Sequence, residues 1–133
     1  MDTVSQMLEE AAQEHGSRLA LKMRKGLRLE KYTYQVLWRH AQCTAVLLQN
    51  RGMEKGERVL LWAPNSPSWV IGYLGVLIGG GVVVPLDVQS TMNFVAKVVM
   101  QTEPVLALLS TSIVGAARTL SVPIIYLEDL PHL

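Results

Sequence analysis

Residues 62–87, WAPNSPSWVIGYLGVLIGGGVVVPLD, decide the fold of this chain. The stretch carries no charge before its last residue and holds five of the chain's ten glycines. Ser66 is a favourable N-cap, and Pro67 suits the first helical position because its missing N–H would have no partner there. We therefore predict a helix that starts at Pro67, stops at the glycines 79–81 and is followed by a short buried strand at 82–84.

The predicted helix contains apolar residues at helical spacing. They are Trp69, Val70, Tyr73, Leu74, Leu77 and Ile78. We expect Gly72, Gly75 and Gly79 to let this helix lie close to a sheet. After the strand, Pro85 is expected to end the ladder and Asp87 to mark the edge of the sheet.

A membrane span is the alternative interpretation of the same stretch. Residues 69–86 are 18 uncharged residues, which is close to the minimum length for crossing, and Gly75 and Gly79 form a GxxxG pair. Three consecutive glycines and a proline in the last third oppose a span, as does the lack of a closely flanking basic cluster. We favour a water-soluble domain and expect no transmembrane span.

Length, charge and cysteine content limit the possible functions. The 133 residues suffice for one domain, so we treat residues 1–133 as a single unit. A net charge of +1 produces no field that attracts nucleic acid, and we expect no nucleic-acid partner. The single cysteine, Cys43, excludes an internal disulfide and a cysteine-based zinc site. The N-terminus lacks a signal-peptide pattern, so a cytoplasmic location is expected.

The charges are distributed unevenly along the chain. Residues 1–58 hold 17 of the 23 charged residues, and the remaining 75 residues hold six. The second part is therefore either mostly interior or covered by something outside this chain. An uncovered apolar face or strand edge would pair with another copy, so we expect self-association of the chain as a homodimer.

The first half of the chain predicts two helices and a hairpin. Thr3 with Gln6 fits a capping box for a short amphipathic helix, and residues 19–32 alternate as a β-hairpin does. Thr33 is a plausible N-cap for a second helix, which Gly52 would close. The first apolar stripe comprises Val4, Met7, Leu8 and Ala11, and the second comprises Leu37, Ala41, Ala45 and Leu48.

Six of the twelve basic residues lie in or beside the hairpin. They are Arg18, Lys22, Arg24, Lys25, Arg28 and Lys31. A nucleic-acid or phosphate patch is one interpretation. We favour a solvated strand face, because no aromatic residues interleave with these charges.

Strands alternate with helices from residue 57 onward. Apolar strands are predicted at 57–62, 105–109 and 123–127, with a helix capped by Thr91 and a weak helix at 112–120. The Thr91 helix presents Phe94, Val95, Val98 and Val99 on one side. Such alternation predicts an α/β fold with a mostly parallel sheet and helices on both faces, preceded by the N-terminal hairpin.

The residues alone reveal no reactive site. Ligands of such sheets bind at the carboxyl ends of strands, here 63–66, 87–90 and 110–112. No GxxxxGK[ST] or GxSxG pattern occurs, and the triple glycine follows a helix instead of opening one, unlike a dinucleotide-binding loop. The histidines lack metal-ligand spacing; they are His15, His40 and His132. We therefore predict no catalytic, cofactor-binding or metal-ligating residue in this chain.

Two segments match known sequence patterns. Thr33, Tyr34 and Leu37 match the pattern Leu-Thr/Ser-Tyr-x-Glu-Leu, from which Tyr32 and Val36 depart. The pattern Leu-Lys-Ala-Gly-x-x-x-x-Pro-Leu/Ile-Asp is matched by Leu77, Gly80, Pro85, Leu86 and Asp87, with Ile78 and Gly79 replacing Lys and Ala. Between the two segments, Gly52, residues 55–59 and residues 64–66 are also typical. Residues 19–130 thus resemble the opening of the acyl-adenylate-forming enzymes, which include acyl-CoA synthetases, peptide-synthetase adenylation domains and luciferases.

The resemblance implies a two-step reaction in the complete enzyme. A carboxylate attacks the α-phosphate of Mg-ATP to give an acyl-adenylate and pyrophosphate, and a thiol, usually that of coenzyme A, then displaces AMP. The family's phosphate loop ending in Pro-Lys-Gly, its aromatic–Thr-Glu segment, its ribose-binding Asp and its C-terminal lysine are absent from this sequence. Residues 111–112 are too short and glycine-poor to replace the loop, so no catalytic residue is carried over.

The resemblance identifies residues 1–133 as the N-terminal part of an AMP-forming acyl-CoA synthetase acting on a fatty or other apolar carboxylic acid. It implies ATP, magnesium and coenzyme A for the full-length parent, and the remainder of the synthetase polypeptide as partner. The chain by itself is then expected to be inactive. The alternatives are a non-catalytic interaction module with the same fold and, third, a membrane-anchored protein using residues 69–86.

Overall fold

The alternation of strands and helices is confirmed in a computed structural model, which describes residues 3–25, 28–113 and 115–130. The elements are α1 (Thr3–His15), β1 (Leu19–Lys25), β2 (Arg28–Thr33), α2 (Tyr34–Asn50), β3 (Arg58–Trp62), α3 (Pro67–Ile78), β4 (Val82–Leu86), α4 (Met92–Thr102), β5 (Leu106–Leu109), α5 (Ala116–Thr119) and β6 (Ile124–Tyr126), with a 3-10 turn at Leu127–Asp129. The weak helix predicted at 112–120 is thus shorter, and the last strand ends one residue early.

The sheet is parallel and has the strand order β4–β3–β5–β6. Leu60 of β3 pairs with Val84 on one side and with Ala107 on the other. The antiparallel β1–β2 hairpin forms a separate two-stranded sheet, as its alternating pattern predicted. The predicted α/β class with an N-terminal hairpin is therefore confirmed.

Successive residues of the central strands point into two different cores. Leu61 and Leu108 pack in one core with residues of α1, α2 and α3, while Leu60 and Trp62 pack in the other with residues of α4 and α5. Both faces of β3 and β5 are therefore covered within this chain. This coverage explains why the second part of the sequence carries so few charges.

The prediction of a short buried strand at 82–84 is wrong in two respects. β4 runs to Leu86, and Pro85 lies within the ladder opposite Leu61. β4 is also an edge strand, and the Val82 side chain is 45% exposed. Proline is tolerated at this position because an edge strand needs hydrogen bonds on one side only.

Helix α3 starts as predicted but buries a different face. The Ser66 hydroxyl oxygen accepts a hydrogen bond from the Trp69 N–H at 3.0 Å, and Pro67 opens the helix. All six residues of the predicted apolar run are only partly buried, and the buried positions are Pro67, Ile71, Gly72, Gly75 and Val76. A side chain at Gly72 would meet Leu108 of the sheet, whereas one at Gly75 would meet Thr44 of α2. The expected close approach to the sheet therefore holds at Gly72, while Gly75 lies against another helix.

Helices α2 and α4 also start at the predicted caps. Thr33 accepts from the Val36 N–H and Thr91 from the Phe94 N–H, each at 3.2 Å. Phe94 itself is 53% exposed, and Met7 of α1 is 64% exposed, although the sequence groups both with the apolar side of their helices. Each precedes a buried residue and is rotated by about 100° from it around the helix axis, out of the packed face.

Some predictions concern residues or side chains that the structure does not describe. They are the side chains of Thr3, Val4, Lys22, Arg24, Lys25 and Arg28, the hairpin turn at Gly26, and His132. Residues 69–86 form most of α3, the glycine turn and β4. In the part of the chain that the structure describes, no helix has the length and apolarity needed to cross a membrane.

Gly80 has the left-handed backbone that its place between helix and strand predicted. Its φ is +87°, and a Cβ atom there would lie 3.4 Å from the nearest atom, Cγ of Lys55. We expect Gly80→Val to lower the free energy of unfolding by about 1–2 kcal/mol through backbone strain. Thermal unfolding measures the loss, and Gly80→Asn is the matched control because asparagine tolerates this conformation better. Equal melting temperatures for the parent and Gly80→Val would contradict the prediction.

Candidate functional site

At the carboxyl edge of the sheet, the loops after neighbouring strands lead to helices on opposite faces. The loop after β3 leads to α3, which packs in the first core, whereas β4 and β5 lead to α4 and α5 in the second core. The loop after β3 thus turns away from the loops after its two neighbours, β4 and β5. A crevice opens where two neighbouring loops separate in this way, and open α/β sheets bind ligands in such crevices. The predicted strand ends at 63–66, 87–90 and 110–112 all lie along this edge.

One crevice, the β3–β4 crevice, opens between the loops that follow these two strands. Its volume is about 310 Å³, and it is lined by Ala63, Pro64, Asn65, Trp69, Leu86, Asp87 and Val88. The buried Trp62 indole Nε1–H donates to the Asp87 carbonyl oxygen at 3.0 Å. Oδ1 of Asp87 accepts the Gln89 N–H at 2.8 Å. Asp87 therefore does more than mark the end of a strand, because two hydrogen bonds fix its backbone and its carboxylate beside the crevice.

A second group, the serine–glutamate cluster, joins the ends of β5 and β6. It comprises Ser110, Thr111, Ser112 and Glu128. The Ser110 hydroxyl donates to Oε2 of Glu128 at 2.8 Å, and the Thr111 N–H donates to Oε1 at 3.1 Å. The Ser112 N–H donates in turn to Oγ of Ser110 at 3.1 Å. Sequence reasoning located 110–112 at a strand end but missed Glu128, although both segments follow paired parallel strands and so meet at one edge.

These hydrogen bonds set the pKa of Glu128. Burial is the largest single influence and raises the pKa, but the bonds from Ser110 and Thr111 favour the charged form and together outweigh it. The net pKa of Glu128 therefore lies below its ordinary value of 4.5.

The lowered pKa predicts a pH dependence of folding. Because the folded-state pKa is lower than the unfolded one, Glu128 stabilises the fold above pH 4.5, and this contribution disappears as the pH falls through the folded-state value. We expect Glu128→Gln to flatten this part of the curve of unfolding free energy against pH, by a small amount because the side chain is largely exposed. Identical curves for the parent and Glu128→Gln would overturn the assignment.

A second depression lies beyond the cluster, near α5. It has a volume of about 280 Å³ and is lined by Leu109, Thr111, Ile113, Gly115, Ala116, Arg118 and Tyr126. Its walls are mainly apolar, with one guanidinium. The remaining candidate groups lie elsewhere: His40 is buried on α2 against Tyr32, and His15 is near Glu14 at the end of α1.

The edge residues do not form a phosphate cradle. The segments 63–66, 87–90, 110–113 and 127–130 carry three acids and no lysine or arginine, and the guanidinium of Arg118 lines the depression near α5. Both carboxylate oxygens of Glu128 are already hydrogen-bonded. Within residues 3–25, 28–113 and 115–130, no three histidine, cysteine, aspartate or glutamate side chains are grouped so that they could hold a metal ion. That this chain supplies no residue to ATP, magnesium or coenzyme A stays a prediction.

Comparison with known proteins identifies the family. A family model described as AMP-binding enzyme matches residues 8–130, which include all the elements from α2 to β6. The chain belongs to the family of AMP-binding enzymes.

Particular relatives agree with this membership. The chain is 29% identical over 97 residues to a probable CoA ligase of Humulus lupulus, covering 73% of this chain and 18% of that protein. It is 38% identical over 68 residues to a long-chain-fatty-acid–CoA ligase of Bacillus subtilis, covering 49% of this chain and 12% of the relative. The chain spans less than a fifth of the length of these curated relatives.

Solved structures of adenylate-forming enzymes share the fold. The crystal structure of a fatty acid AMP ligase from Legionella pneumophila superposes with a TM-score of 0.83 at 24% identity, over 96% of this chain and 24% of that one. The N-terminal subdomain of NpsA from Klebsiella oxytoca gives 0.81 at 23% identity, over 98% of this chain and 32% of that one. The α/β architecture described above is thus that of the N-terminal subdomain in this class.

Proposed function

We propose that residues 1–133 are the N-terminal part of an AMP-forming acyl-CoA synthetase and serve there as scaffold. The observation that carries the proposal is the family match over residues 8–130, combined with an edge that has no phosphate cradle. Strands β3 and β5, which are buried on both faces, would form part of the core of the complete enzyme. The adenylating groups then belong to the remainder of the polypeptide, which is the partner of this chain.

We further propose that the parent activates a fatty or other apolar carboxylic acid with ATP and magnesium and then transfers the acyl group to coenzyme A. The cytoplasmic location stays a prediction from the sequence, since one relative is named peroxisomal. Support comes from the names of relatives, which include a long-chain-fatty-acid–CoA ligase and a peroxisomal OPC-8:0-CoA ligase. Peptide-synthetase-type enzymes also match this chain, so the acid is the variable to test.

The encoding gene gives the first test. Reading it past Leu133 should reveal a glycine-, serine- and threonine-rich loop that ends in Pro-Lys. A stop codon at that point would contradict the proposal that the parent is a synthetase. It would support the alternative of a non-catalytic interaction module with the same fold.

The longer gene product gives the second test. We expect pyrophosphate exchange into ATP to depend on palmitate, with acetate and phenylalanine as controls. Acyl-CoA should form when coenzyme A is added. Accumulation of acyl-adenylate without transfer to coenzyme A would show that the protein is an acyl-AMP ligase and not a synthetase. A preference for phenylalanine would show that the substrate is an amino acid and not a fatty acid.

A further inference from the structure

We draw no further inference here: the strongest candidate, the partly exposed apolar side of helix α3 that includes Trp69, Tyr73 and Leu77, carries none because nothing in the part of the chain that the structure describes shows what covers it.

Discussion

Replacing Gly75 by alanine is expected to lower the free energy of unfolding by about 1–3 kcal/mol, the usual cost of overpacking a core. A Cβ atom at Gly75 would lie 2.5 Å from Cγ2 and 2.7 Å from Cβ of Thr44, and 3.3 Å from the carbonyl oxygen of Ala41. Both neighbours belong to the buried face of α2, so α2 and α3 would have to separate. Alanine's higher helix propensity, worth about 1 kcal/mol, offsets only part of this cost. Chemical denaturation measures the change.

Two further variants separate overpacking from a general glycine effect. A Cβ atom at Gly79 would meet Cε of Met53 at 2.5 Å, the mobile end of a flexible side chain, so Gly79→Ala should cost much less. Thr44→Ser removes Cγ2 but keeps the hydroxyl that donates to the His40 carbonyl oxygen at 3.0 Å. In the Gly75→Ala background it should recover part of the lost stability. Gly75→Ala as stable as the parent would contradict the close packing of α2 on α3.

The purified chain is expected to self-associate at micromolar concentrations, doubling its mass from 14.7 kDa in the simplest case. Both faces of β3 and β5 are covered, which leaves the edge strands β4 and β6 and the exposed apolar side chains as candidate surfaces. β4 is an edge strand with the uncharged sequence VVVPL, and Val82 is exposed. On α4, Phe94 is 53% and Met100 is 79% exposed. Uncharged strand edges and exposed apolar side chains pair readily with another chain.

A charge on this edge tests which surface is involved. Val82→Lys should shift the chain towards monomer, since lysine on an edge strand opposes pairing. Met7→Lys, on the exposed side of α1, is the matched control and should leave the association unchanged. Light scattering after size exclusion reports the mass across a concentration series. A monomer near 14.7 kDa at every concentration would contradict the prediction.

Local rules predicted much of this fold. The caps at Thr33, Ser66 and Thr91 and the left-handed backbone of Gly80 depend on residues within a few positions of one another, so the sequence contains the whole cause. The face that α3 buries was not predicted, because it depends on how closely α2 approaches. The edge position of β4 was missed for the same reason: it depends on the order of the strands.

The candidate site shows the same limit. The sequence placed residues 110–112 at the carboxyl edge but gave no reason to join them to Glu128, because that pairing needs the register of β5 on β6. Asp87 was assigned to the sheet's edge, and the Trp62 side chain that holds it is 25 residues away in the chain. Absence of the family's phosphate loop, in contrast, could be read directly from the residues.

Carboxylate-dependent exchange of pyrophosphate into ATP by the purified 133-residue chain tests the central claim, that this chain does not adenylate a carboxylic acid by itself. The claim predicts exchange no greater than the blank with palmitate, magnesium and ATP, under conditions in which the Bacillus subtilis long-chain-fatty-acid–CoA ligase, as positive control, is active. Exchange well above the blank that requires both the fatty acid and ATP would contradict it.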